Sequence, residues 1–175
     1  MEMSEMNDRN LIDSPRPPWI LVAPLGRSSD SVTAAAERLG GLVVRLDGRR
    51  LGAQADVFSE FATALSFPSY FGRNWDALEE CLGDIYNWLR RDVVVVVLSH
   101  PSFILSGDAG EFQTFLGVLW RAAEWISEAI TDEGVLNRPG VSMHFLLSPA
   151  AADYDLIVDR VRGAGLPQGV YAMID

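Results

Sequence analysis

Asp76, Glu79, Glu80 and Asp84 are acids whose spacing puts them on one side of a helix. At roughly 100° per residue they share an arc with Gly83 and Asn87, while Trp75, Leu78, Cys81, Leu82, Ile85 and Leu89 fall opposite. Asn74 is placed to cap that helix, its side-chain oxygen accepting a bond from a free N–H of the first turn. Carboxylates near a helix start sit in the positive end of its dipole, which favours their ionised form. A general acid or base needs a pKa near neutrality, reached by burial or by crowding two carboxylates, and this helix offers the opposite setting. Permanent charge suits docking. Tyr70, Phe71 and Gly72 lie just upstream, so an aromatic anchor and a bare stretch of backbone adjoin the acids. The matching surface is a cluster of Arg, Lys and His.

An acidic stripe is more often a plain solvated helix face, and some of the nearby rings must be core. Trp75 and Phe67 are expected inside and Tyr70 outside. Other reactive groups are sparse. The chain has two histidines, His100 and His144, and no lysine. That excludes Schiff-base chemistry and a P-loop lysine. His144 lies within an apolar run and reads as a packed or edge residue, whereas His100 follows a strand end without the spacing of a triad or metal site. A small hydrolase using Asp47 with His100 stays open as an alternative, and it requires those two groups to converge. Cys81 falls on the apolar side, where a thiol behaves as a small hydrophobe. Gly26-Arg27-Ser28-Ser29 could meet an anion at a helix start but lacks the phosphate-loop glycine pattern. No cofactor or metal is expected, and no catalytic residue is assigned.

The segment FPSYFGRNWDALEECL, residues 67–82, resembles the signature of the barstar family, intracellular inhibitors that plug the active site of secreted ribonucleases. Pro68, Tyr70, Phe71, Gly72, Asn74, Asp76, Ala77, Leu78, Glu80, Cys81 and Leu82 match its pattern, P-x-Y-[YF]-G-x-N-x-D-A-L-x-[DE]-C-L. The family's namesake has Asp at the position of Glu80, and aromatic residues at those of Glu79 and Ile85. The resemblance spans about residues 42–148. It implies a three-layer α/β fold with a small, mainly parallel sheet. It also implies a toxin-facing surface of Tyr70, Gly72, Asn74, Asp76 and Glu80, with Glu80 standing in for a substrate phosphate. Adding the rest of the acidic arc and its aromatic neighbour gives the candidate partner-binding set Tyr70, Phe71, Gly72, Asn74, Asp76, Glu79, Glu80, Gly83 and Asp84. On this reading the chain is no enzyme but an immunity protein of a toxin–antitoxin pair, monomeric when free, that binds a basic ribonuclease or nuclease toxin one to one. The alternative of a binding module for a non-nuclease partner remains.

A length of 175 residues, 49% of them hydrophobic, fits one well-cored domain. A single cysteine excludes an internal disulfide and fits a reducing compartment. No apolar run reaches the roughly twenty residues of a membrane span, and no export signal is visible, so the expected location is the cytoplasm. Net charge −10 opposes nucleic-acid binding and favours encounter with a basic protein.

Four regular segments must position the acids. Residues 42–46, 93–98 and 141–147 read as strands and residues 56–65 as a helix with Val57, Phe58, Phe61, Ala62 and Leu65 on one face. The all-apolar run 93–98 suits a parallel strand covered on both sides. Residues 111–130 form a long amphipathic helix. Outside the family likeness, residues 19–23 read as a strand followed by a helix capped at Asp30-Ser31, and residues 154–162 and 170–174 as a last helix and strand that widen the sheet at its edges. The polar, proline-containing residues 1–18 read as a disordered tail with nothing to seed a core. Residues 19–175 then form the single domain.

Overall fold

The computed structural model describes residues 11–131 and 137–174. Its sheet holds β1 (Ile20–Val22), β2 (Leu42–Asp47), β3 (Val93–Ser99), β4 (Ser142–Ser148) and β5 (Tyr171–Met173) in the order β2-β3-β4-β1-β5. Every neighbouring pair is parallel. Side chains alternate across a strand, so the valine run of β3 divides between two cores. Val94, Val96 and Leu98 join the larger one, and Val93, Val95 and Val97 the smaller. Burial on both faces is why β3 is continuously apolar from Val93 to Leu98.

Helices α1 (Arg27–Arg38), α2 (Gln54–Ala64), α3 (Trp75–Gly83), α4 (Tyr86–Leu89), α5 (Ala109–Ser127) and α6 (Tyr154–Arg162) complete the three layers. Val32, Ala35 and Ala36 of α1 cover one face of the sheet. Phe58 and Phe61 of α2, Leu78 and Leu82 of α3, Phe115 and Leu119 of α5, and Ile157 of α6 cover the other.

Several expectations need correction. The two added strands do not widen the sheet at both edges, because β1 and β5 both lie beyond β4 and leave β2 as the opposite edge. Helix α1 starts at Arg27 rather than after Asp30, because the Ser29 hydroxyl accepts a bond from the Gly26 N–H at 3.1 Å and caps the helix there. Helix α5 stops at Ser127; beyond it Ile130 bridges to Arg138, whose guanidinium donates to the carbonyls of Trp125, Ile126 and Glu128 at the helix end. The N-terminal segment is not devoid of core residues either. Leu11 and Ile12 are buried on the α1 side of the sheet, since their two apolar side chains fill space that α1 alone leaves uncovered. Residues 1–10 of the expected tail lie outside the described residues.

That segment is held by a buried polar pair on β4. His144 is fully buried, and its Nδ1 lies 2.8 Å from the Pro18 carbonyl, which can only accept, so Nδ1 carries the proton. Its Nε2 then faces the Ser142 hydroxyl at 2.9 Å, and the same hydroxyl lies 2.9 Å from the carbonyls of Ile12 and Ser14. Burial opposes a charge on this ring and brings His144 down to about 4, against a partial rise from the Pro18 bond.

Between pH 6.5 and about 4 the unfolded chain therefore accepts a proton that the folded chain refuses. Stability from this group is full above 6.5 and falls as pH drops, by about 3 kcal/mol in all. Asp47, held at about 2, contributes a constant stability above its ordinary 3.8 and loses it only below that, outside the window. Urea midpoints measured across the window should fall for the wild type and stay level for His144→Asn; an equally level wild type would contradict the assignment.

Candidate functional site

Asn74 begins α3 as expected, its side-chain oxygen accepting from the Ala77 N–H at 2.8 Å. The loop before it is fastened from below by rings. Phe67 packs edge-on against Phe71 with centroids 5.0 Å apart, Trp75 packs edge-on against Phe58 at 4.9 Å, and Trp75 also meets Phe115 of α5 at 6.2 Å. The Trp88 indole N–H donates to the Leu65 carbonyl at 3.1 Å, tying α4 to the end of α2. With Phe67, Phe71 and Trp75 so engaged, all three are half-buried, and Tyr70 is left 73% exposed. Gly72 and Asn74 are exposed beside it, and a Cβ on Gly72 would meet only the Asn74 Nδ2 and the Ala77 methyl, at 3.3 and 3.4 Å. Phe71 is therefore a support for the loop as much as a contact residue.

Along α3 the acids do not share one fate. Asp76, Glu80 and Asp84 are exposed and, among the described residues, carry no ion pair or side-chain hydrogen bond. Glu79 is neutralised instead. Its Oε2 accepts from Nε and Nη2 of Arg121 on α5, at 2.9 and 2.7 Å. Gly83 is not on the outward face but buried, and a Cβ there would stand 3.1 Å from Cδ1 of Trp125. The helix ends at this glycine, so the arc read through to Leu89 is broken and α4 is a separate turn. Cys81 is buried, and its thiol is pushed up by burial first and then by Glu80 and Asp84, which keeps it protonated and unreactive.

Helices α3 and α5 together line a cleft of about 690 Å³. Besides the α3 acids and Gly83, its walls include Trp120, Arg121, Glu124, Trp125 and Glu128. Six carboxylates and the Arg121 guanidinium line it, and Arg138 at the end of α5 attracts Asp84 and Glu128. The α5 contribution went unread in the sequence. Its signal was Trp125, a large ring out of phase with the apolar stripe of α5 and 66% exposed.

Asp47 and His100 do approach each other, with 3.5 Å between Oδ1 and Nδ1. Yet Asp47 is first a partner of Arg49, whose Nε and Nη2 reach both carboxylate oxygens at 2.6 to 3.0 Å, and that hydrogen-bonded guanidinium holds the carboxyl at about 2. So weak a base is poorly suited to general base work near neutrality. Among the described residues no group of three or more His, Cys, Asp or Glu could hold a metal, and no helix is long and apolar enough to cross a membrane.

A family model described as Barstar (barnase inhibitor) matches residues 42–147, more than half of the chain. The chain belongs to the barstar family. The match covers β2 through β4 and so contains the loop, α3 and α5. The family is one of inhibitors, which suggests a ribonuclease-inhibitor-like role. A search of curated proteins returns no match. Among solved structures, the Walker-type ATPase paby2304 of Pyrococcus abyssi is similar at 13% identity and TM-score 0.53, over 99% of this chain and 52% of that one. The Aeropyrum pernix ORC2 protein is similar at 16% identity and TM-score 0.53, over 94% of this chain and 42% of that one. A Drosophila ORC structure with AT-rich DNA and Cdc6 matches at 13% identity and TM-score 0.45, over 89% of this chain and 47% of that one. The chain thus spans about half the length of these proteins, and the likeness to the first two concerns the fold alone.

Replacing Asn74 by Ala removes the α3 cap without disturbing the ring cluster beneath it. The expected cost is about 1 kcal/mol of unfolding free energy, read from denaturant curves. Asn74→Asp or Asn74→Ser, which keep an acceptor, should recover most of it.

Proposed function

We propose that this chain is an immunity protein that inhibits a basic ribonuclease or related nuclease toxin, binding it one to one and covering its substrate cleft. The contact surface is Tyr70, Gly72, Asn74, Asp76 and Glu80, bordered by Asp84, with Phe71 supporting it from beneath. The observation that carries this reading is the trio Asp76, Glu80 and Asp84, exposed and unpaired among the described residues on a helix pinned by rings and a cap. Carboxylates fixed in this way already hold the arrangement that a cluster of phosphate-binding arginines seeks, so little ordering is needed on docking. Inhibition is by occlusion and charge, without turnover. Glu79 is spent on Arg121 within the chain and is not assigned a direct contact.

The reading is tested by titrating a barnase-like ribonuclease with the wild type and with the double variant Asp76→Ala, Glu80→Ala. Each lost carboxylate should weaken binding by about 2–5 kcal/mol. That magnitude is carried over from buried interfacial charge pairs, the family's namesake complex among them. The wild-type association rate should fall steeply with added salt. Equal affinity of the two proteins would remove the site assignment. Retention from cells of a basic partner without nuclease activity would favour the non-nuclease module instead.

A further inference from the structure

The cleft between α3 and α5 has a composition that docking through α3 alone does not require. One wall is the indole of Trp125, 66% exposed although it is a large apolar ring. It can stand there because Gly83 lies beneath it; a Cβ would come within 3.1 Å of Cδ1 and 3.7 Å of Nε1. The same cleft is lined by Glu80 and Asp84 on the α3 side and by Glu124 and Glu128 on the α5 side. Arg121 is bound on Glu79; Glu80 and Glu124 are left without an ion pair among the described residues, and Asp84 and Glu128 have only the longer-range attraction of Arg138 at the end of α5.

An exposed indole amid carboxylates is matched by one common side chain. A guanidinium is planar, stacks on an aromatic face and gives paired N–H donors to carboxylates, whereas an ammonium is a compact and strongly hydrated charge. We infer that the α3–α5 cleft is an arginine slot: it takes one arginine side chain of a basic partner protein, the guanidinium stacked on Trp125 and paired with the flanking carboxylates. This rests on the reading that the acidic surface docks a basic protein, and it adds a second, arginine-selective contact beyond the loop and the first turns of α3. The Arg121–Glu79 bridge joins the two walls.

The test needs no nuclease. The chain, labelled with ¹⁵N at tryptophan, is titrated with an oligoarginine and an oligolysine peptide of equal length at one ionic strength. The Trp125 indole resonance is assigned by its loss in Trp125→Phe. A saturable shift of that resonance with oligoarginine, and affinity about threefold above oligolysine, supports the slot. Trp125→Ala should bring both peptides to the same weaker affinity. The double variant Glu124→Gln, Glu128→Gln, which keeps the shape of the cleft, should weaken both peptides while Trp125 still responds. Equal binding of the two peptides by the wild type, or an arginine preference that survives in Trp125→Ala, overturns the slot. So does self-association in sedimentation that Trp125→Ala abolishes, which would make a second copy of the chain the occupant. A chain that inhibits a nuclease yet shows no arginine preference loses the slot alone. One that shows the preference yet inhibits no nuclease keeps the slot and loses the proposed target.

Discussion

Like charges held close on a rigid helix repel one another, and most folds relieve such a cluster with nearby cations. This chain relieves one member of the α3 cluster directly, Glu79, and leaves Asp76, Glu80 and Asp84 without an ion pair among the described residues. The rest of the structure can be understood as what keeps that arrangement in place. The Phe58, Phe67, Phe71, Trp75 and Phe115 rings fasten the loop and the start of α3, and the Asn74 cap fixes where the helix begins. Leu78 and Leu82 bury its other side against the larger core. Neither set of contacts touches a carboxylate, so the charge is held by apolar packing on the opposite face and pays no desolvation cost of its own.

What was legible in the sequence follows from which forces are local. The capping asparagine, the acidic arc and the apolar stripe of α3 depend on spacing within one helix, and α3 forms with Asn74 as its cap. The strand assignments held for the same reason, since both-sided burial leaves a continuous apolar run such as Val93–Ser99. What could not be read depends on contacts between elements distant in the chain. Nothing near Glu79 announces Arg121, and nothing near Gly83 announces Trp125. Glycine on a polar arc looks solvent-facing by periodicity, yet here its missing side chain is what a ring from another helix requires. The same limit explains Leu11 and Ile12, two apolar residues too few to show a period, whose burial depends on α1 and β4.

The N-terminal strand and helix matter to the sheet rather than to the acidic face. Strand β1 pairs with β4 from Ile20 opposite Phe145 to Val22 opposite Leu147, so β4 is flanked on both sides, and His144 next to Phe145 becomes fully enclosed. A histidine on an uncovered edge could take its hydrogen bonds from water. Enclosed, it must find them in the chain, and the Pro18 carbonyl and the Ser142 hydroxyl supply them. The extension thus creates a buried polar requirement and also meets it.

The bridge from Arg121 to Glu79 can be weighed in two ways. As a half-exposed ion pair it contributes little to stability, because solvent screening and side-chain ordering offset most of the attraction. As a spacer it does more. Its guanidinium sits close over Gly117, where a Cβ would stand 3.0 Å from Nη1, and from that position it reaches across to α3. Two turns of helix at most separate it from Trp125 and Glu128, which line the same cleft. A cation inside an acidic cleft would work against a basic partner if it were mobile. Fixed on Glu79, its charge is matched by one carboxylate, and of the remaining acids of the cleft only Asp84 and Glu128 have a second cation near them, Arg138.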